Sequence, residues 1–436
     1  MAKINKGIKL WNKAKKYISG GGMLLSKKPE LFAPDIWPTY FIKSQGCNVW
    51  DLENRKFTDM FMGVGTNVLG YNDKEVNEAV LNTVKKGNLT SLNCPEEVEL
   101  AEKLVNLHPW SSQARFARSG AEANAIAIRI ARAASKKDNI AICGYHGWSD
   151  WYLSANIQSK KNLNNHLLNG LNPSGVPKKL KNTVFPFEYN NFDQLKKIIK
   201  EKNIGTVKME VNRNVEPKDG FLDKVRAFTK KKNIILIFDE CTSGFRRTEG
   251  GLHKYYKIEP DMAMFGKALG NGFAITSVIG KKKIMDHAQN TFISSTFWGE
   301  RIGSVAGLKT LEVMKKKKSW KQITKVGNSI QSEWKKIANK YNLSINISGQ
   351  PALSSFSFNS KDNLKYKTLI TQELLKNNIL ASNLIFVSTE HKKKHLDKYY
   401  YYLDKVFEKI SKCEDGLNIN KILKTKVCHD SFKRLN

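Results

Sequence analysis

A chain of 436 residues, 41% of them hydrophobic, is long enough to bury a sizeable core and is expected to make one large domain with smaller flanking parts. No window approaches 18 uninterrupted apolar residues, which argues against a transmembrane helix, and six cysteines without a C-x-x-C pair argue for reduced thiols in a cytoplasm rather than disulfides or zinc. The net charge of +33 makes a nucleic-acid binder the competing class, but its densest clusters, Lys315 to Lys318 and His391 to His395, sit in segments of helical apolar spacing, where lysines form a solvated face; neither nucleic acid nor membrane is expected as a partner.

Residues 1 to 28 carry eight lysines and no acid, with Ile4, Ile8, Trp11, Ala14 and Ile18 near helical spacing. This basic amphipathic segment lacks arginine and a long apolar stretch, and Gly20 to Gly22 stop its helix, so it reads as an arm that packs on a partner subunit rather than a targeting peptide. Further on, Glu96 to Leu107 reads as a helix, with Pro95 at its start and Val98, Ala101, Leu104 and Val105 on one side. Ser119 is a candidate N-cap for the alanine-rich run Asn124 to Ala134. With Gly120 and Ala121 behind it, free backbone amides and the positive end of a helix would face an anion such as phosphate.

A short strand, Ile140 to Ile142, leads into Cys143-Gly144-Tyr145-His146-Gly147-Trp148. Then Phe192 to Lys202 is helix-like, Gly205 to Val211 strand-like and Phe221 to Lys232 helix-like, an alternation that predicts a parallel sheet covered by helices. The continuous apolar run Ile234 to Phe238 reads as a buried parallel strand, which puts Asp239 and Glu240 at its carboxyl end, the edge where open α/β sheets bind ligands. A second run, Met262 to Phe265, delivers Gly266 and Lys267 to a loop beside it. An acid at a strand end is also a common cap or salt-bridge partner, and Lys267 is one lysine among many. Together, among glycines, the two suit pyridoxal phosphate (PLP): the lysine joins the cofactor aldehyde and the acid holds the pyridine nitrogen protonated.

The stretch DECTSGFR, EGG, PD and GKALGNG, between Asp239 and Gly272, resembles the signature of class III aminotransferases, PLP enzymes of fold type I, with Ser243 where threonine is usual. The resemblance runs from the GGG arm through GCNVWDLENRKFTDM to Thr296. It implies a mainly parallel central sheet in a PLP-binding domain over 61–310, an arm and small-domain segment over 1–60, and a smaller α+β domain over 311–436 built of lysine-rich helices with one strand, Ile379 to Ser388. It also implies that Lys267 and Asp239 are the catalytic pair, that Ser119, Gly120 and Ala121 hold the cofactor phosphate, and that Tyr145 stacks on the ring. Thr296, in Ser294-Ser295-Thr296-Phe297-Trp298, is expected to reach a neighbouring subunit's phosphate, which requires a homodimer with shared sites. His146 has no partner identifiable in the sequence and is left with a structural hydrogen-bonding role, and Trp148 with shaping the substrate pocket or simply packing.

Two departures concern the substrate. True glutamate-1-semialdehyde 2,1-aminomutases, a group this chain is similar to in texture, carry an N-S-P-V-R stretch after the amino-terminal glycines. Here Met23-Leu24-Leu25-Ser26-Lys27 stands instead, leaving Lys27 as a substitute for the arginine. In Met209-Glu210-Val211-Asn212-Arg213-Asn214, valine replaces a usual proline; Arg213 is a candidate anchor for an acidic substrate and Asn214 a candidate donor to the cofactor's phenolic oxygen. The leading expectation is an aminotransferase moving an amino group from an amino-acid donor to a specialised carbonyl acceptor. An aminomutase or racemase on the same fold is the alternative, and a cofactor-free basic binding protein the outsider.

Overall fold

A computed structural model of the chain describes residues 5–164, 166, 169–212 and 214–430. It divides into two compact units, one of Lys74–Lys321 and the other of Met1–Asp73 with Gln322–Asn436. The chain has an α/β fold with a mostly parallel central sheet. Among the described residues, no helix is long and apolar enough to cross a membrane.

The Lys74–Lys321 unit is built on a seven-stranded sheet in the order Gln113–Ala117, Thr276–Gly280, Met262–Phe265, Ile235–Glu240, Thr206–Glu210, Ile140–Cys143, Val184–Pro186. Thr276–Gly280 runs antiparallel to both of its neighbours. The five strands from Met262–Phe265 to Val184–Pro186 are mutually parallel. Burial on both faces explains their near-continuous apolar sequence, since helices or loops cover each side.

One face packs under the helix Gly120–Ser135, whose Ala123, Ile126, Ala127 and Ile130 meet Ile142, Ile237, Met264 and Val278. Alanines along the contact let the helix lie close to the sheet, while each fully buried isoleucine contributes about 2 kcal/mol of transfer free energy. The opposite face is filled by Phe187, Leu195, Val225, Leu236 and Phe238.

Local signals fix the ends of these elements. Ser119 caps the Gly120–Ser135 helix in a full capping box with Glu122, and Lys136 closes it in the left-handed conformation. The helix expected over 96–107 spans Pro95–Leu107, but its buried side carries Leu100 and Leu104 while Val98 is 70% exposed. The helix Arg301–Lys317 turns it: Leu100 packs against Gly307, where an added Cβ would meet the leucine at 3.1 Å.

In the other unit, the arm forms a helix, Lys6–Tyr17, capped by Asn5, with Trp11 and Ala14 buried. Gly21 follows at φ +76°, and an added Cβ would strike the Trp11 ring at 2.7 Å. Two sheets follow, Phe41–Gln45, Asn48–Asp51, Lys56–Asp59 and Ile379–Leu380, and then Ile345–Ser348, Leu353–Phe358 and Leu384–Phe386. The single strand expected over 379–388 is therefore two. Ile379–Leu380 pairs with Lys56–Asp59, and Leu384–Phe386 with Leu353–Phe358. Just before the second, Asn383 binds Phe356 twice, its carbonyl accepting the Phe356 amide at 2.9 Å and its side-chain amide donating to the Phe356 carbonyl at 2.7 Å. Ile345–Ser348 and Leu353–Phe358 are two further strands that the sequence reading did not foresee; in the second a serine takes an inward position, where Ser354 is buried and satisfies its hydroxyl on the Pro351 carbonyl at 2.9 Å.

Candidate active site

Four neighbouring parallel strands, ending at Cys143, Glu210, Glu240 and Phe265, deliver their following residues to one sheet edge. Asp239 and Glu240 are the last two residues of their strand, and Lys267 comes two residues after Phe265, the register partner of Glu240. Lys267 adopts φ +43° and donates from Nζ to Thr242 Oγ1 at 2.9 Å. Thr242 lies three residues beyond Asp239, so the amine and the carboxylate are held by one continuous segment. Cys241, between them, has its thiol pushed well up, first by burial and then by the Asp239 charge, against the opposing pull of Lys208 and Lys267.

Asp239 is 5% exposed and fully partnered. Its Oδ2 lies 2.9 Å from His146 Nδ1 and 3.9 Å from Lys208 Nζ, and its Oδ1 accepts the Cys241 amide at 3.2 Å. Burial alone would raise this carboxyl; Lys208 foremost, then His146, reverse that and hold it below the ordinary carboxylate range. Burial lowers His146 to about 4, outweighing the Asp239 bond that raises it, so near neutrality the ring is uncharged and Nδ1–H donates to Asp239. Glu240 faces the other side of the strand, accepting from the Leu252 amide and from His253, whose Nε2 accepts Trp110 Nε1 at 2.9 Å.

The loop after Cys143 depends on glycine. Gly144 has φ +114°, and a Cβ there would lie 2.6 Å from Glu210 Oε2, the same atom that accepts the Tyr145 amide at 3.1 Å. Gly147, at φ +95°, brings the loop onto the helix start, since its Cβ would meet Ala121 at 3.1 Å. There the Ser119 hydroxyl and amide are engaged by Glu122, while the amides of Gly120 and Ala121 have no acceptor among the described residues. A Cβ on Gly120 would lie 3.8 Å from Cys241 Sγ and one on Gly266 3.5 Å from it, so the helix start and the lysine turn meet at one cysteine.

Tyr145 is half-buried, edge-on to Tyr152. Trp148 is 73% exposed, and Thr296 opens an exposed turn beside Phe297. Asn214 is exposed, whereas Asn212 is the buried asparagine of that segment and donates to Tyr256 at 3.1 Å. Arg213 lies outside the described residues. Lys27 is exposed on a short turn, Leu25–Lys27, of the other unit.

Sequence reasoning left His146 without a partner; that partner is Asp239. It also missed Thr242 and Lys208. A lone lysine inside the strand-like run Gly205 to Val211 was the available signal for the latter.

Lysine, ionised buried carboxylate and open helix amides at one edge are what a phosphorylated pyridine aldehyde needs, and the glycines leave room for it. Residues 34–385 match the family model of class III aminotransferases. The chain belongs to that family, and is a PLP-dependent aminotransferase. A 3-aminobutyryl-CoA aminotransferase of Cloacimonas acidaminovorans is 31% identical to it over 390 residues, 86% of this chain and 90% of that protein. A glutamate-1-semialdehyde 2,1-aminomutase of Methanosphaera stadtmanae is 29% identical over 421 residues, 91% and 96% of the two chains. The fold is similar to that of the FumI protein of Sphingopyxis sp. MTA144, solved in its PLP internal aldimine form, with a TM-score of 0.85 at 21% identity and coverage of 96% and 99%.

Proposed function

We propose that this enzyme takes an amino group from an amino-acid donor and passes it to a specialised carbonyl acceptor in two half-reactions, using Lys267 and Asp239 as its catalytic pair. What carries the reading is that the Lys267 amine is held at 2.9 Å by Thr242, three residues beyond the buried, ionised Asp239. PLP, when bound, supplies an electron sink for the bond broken at the donor's α carbon. Lys267 takes the proton from that carbon and returns it to the other end of the system, with Thr242 fixing the amine's position. Asp239 keeps a positive charge at the ring nitrogen favourable, and His146 fixes the carboxylate's orientation. Gly120 and Ala121 offer their amides, and Ser119 its turn, to the phosphate. Tyr145 covers the ring, and Asn214 meets the phenolic oxygen.

Arg213, Trp148 and Lys27 bind substrate in this reading. The active unit is a homodimer in which Thr296 serves the neighbour's phosphate; exposed Phe292, Phe297 and Trp148 support burial against a second copy. The domain plan of 1–60, 61–310 and 311–436 is retained as a proposal. Six free cysteines support a reducing, cytoplasmic setting.

An aminomutase is the second reading, favoured by the aminomutase relative that aligns with 91% of this chain at 29% identity. The test is to mix stoichiometric holoenzyme with single amino donors and no acceptor. A transaminase releases one equivalent of oxo product and then regains activity with a carbonyl acceptor; rearrangement of one substrate without an acceptor would establish the mutase. Lys267→Ala is expected to abolish turnover, and an active variant would overturn the assignment of the lysine.

A further inference from the structure

Lys208 has no part in the chemistry above, yet it is fully shielded from solvent in the middle of Thr206–Glu210, a strand buried at every position. It pairs in register with Ile237, and Asp239 with Met264, so Lys208, Asp239 and Met264 share the sheet face under the Gly120–Ser135 helix. Its Nζ lies 3.9 Å from Asp239 Oδ2 and donates to Met264 Sδ at 2.8 Å. A thioether is a weak acceptor, and an ammonium stripped of water needs a carboxylate to offset its burial. Burial pulls the lysine's proton affinity down; Asp239 first, then Cys241 and Glu210, oppose that. The other side chains on Asp239, His146 and the Cys241 thiol, bring hydrogen bonds without a full charge.

We propose that Lys208 is a positioning residue, a counter-ion built into the strand behind Asp239 that keeps this carboxylate ionised and in place while limiting how tightly it grips a protonated ring nitrogen. The inference rests on the reading of Asp239 given above. With cofactor bound, one carboxylate is shared by two cations, and each weakens the other's hold. Replacing Lys208 by an apolar side chain of similar length leaves the ring nitrogen as the carboxylate's single cationic partner.

The test compares full-length enzyme, stripped and reloaded, binding PLP or the carbocyclic analogue in which C–H replaces the ring nitrogen. The ratio of the two dissociation constants isolates the Asp239 contact, because phosphate, aldehyde and lysine are common to both. Wild-type enzyme is expected to prefer PLP, and Asp239→Asn to lose that preference; if wild type shows none, the reading of Asp239 itself falls. Given that preference, Lys208→Met is expected to enlarge it about tenfold, the size of one pKa unit, and to have no effect on the ratio in the Asp239→Asn background. An unchanged or smaller ratio overturns the role of Lys208 alone, since a structural defect weakens both ligands alike. Lys208→Gln reports the same shift should the methionine variant fail to accumulate.

Discussion

Nδ1 of His146 lies 2.9 Å from Oδ2 of Asp239, and the histidine is fully buried while its Nε2 finds no hydrogen-bond partner among the described residues. Packed between Trp151 and Tyr152, the imidazole has its side-chain hydrogen bond, among the described residues, with the carboxylate alone. Its Nδ1–H sets which lone pair of Oδ2 is used and stops the side chain from rotating away from the sheet edge.

His146→Phe keeps the ring volume and removes that donor. The variant is expected to lose about 2 kcal/mol of stability, the usual effect of depriving a buried charge of a hydrogen bond, seen as a lower urea midpoint. Its cofactor affinity should fall as well; an unchanged midpoint would show that His146 only fills space.

The buried histidines set an acid limit on the fold. Burial holds His146 and His391 at about 4 and His108 at about 3, so each stays neutral in the folded chain where the unfolded chain takes up a proton. Between their ordinary value near 6.5 and about 4 the unfolded state binds more protons, so stability rises with pH there and is lost on acidification. Calorimetric unfolding at pH 5.5 in buffers of different ionisation enthalpy should register uptake of roughly three protons from these groups. Uptake near zero would mean that they are already charged in the native state.

Thr242→Val removes the oxygen that receives the Lys267 amine at 2.9 Å while preserving the side chain's shape. The first half-reaction, followed in single turnover, is expected to slow by about 10- to 100-fold with little change in melting temperature, because a charge-assisted hydrogen bond of this type is worth 1.5–3 kcal/mol. An unaffected rate would remove Thr242 from the positioning of the lysine.

Gly144→Ala sets a methyl group 2.6 Å from Glu210 Oε2 at a backbone φ of +114°. Strain and collision together should cost about 2–4 kcal/mol and break the Tyr145 amide bond to Glu210. Thermal unfolding would register this as a fall of several degrees, and wild-type stability would show that the loop relaxes freely.

The shared-site proposal predicts complementation. When Lys267→Ala and Thr296→Val chains are unfolded and refolded together, half of the sites in a mixed dimer regain both an intact lysine and an intact threonine. Activity above that of either parent is expected, and its absence would place Thr296 outside the neighbour's site.

Much of this was legible in the chain itself. The run Ile234 to Phe238 followed by Asp239, the capped alanine helix after Ser119, and Lys267 just past Met262–Phe265 all rest on local rules of burial, capping and strand length, which a sequence displays directly. Four features did not follow from local pattern: which side of Pro95–Leu107 is buried, the split of 379–388 between two sheets, the His146 partner of Asp239, and the lysine set behind it. Each is a pairing across long sequence separation. His146 stands 93 residues from Asp239, and nothing in either neighbourhood encodes the register that joins them. By itself the sequence determined the family and the elements on which the candidate residues Asp239, Lys267 and Ser119 sit, because capping, burial pattern and motif are properties of single segments. The order and register of strands decided what surrounds the carboxylate, since electrostatics in a water-free interior depends on distances that only the assembled sheet creates.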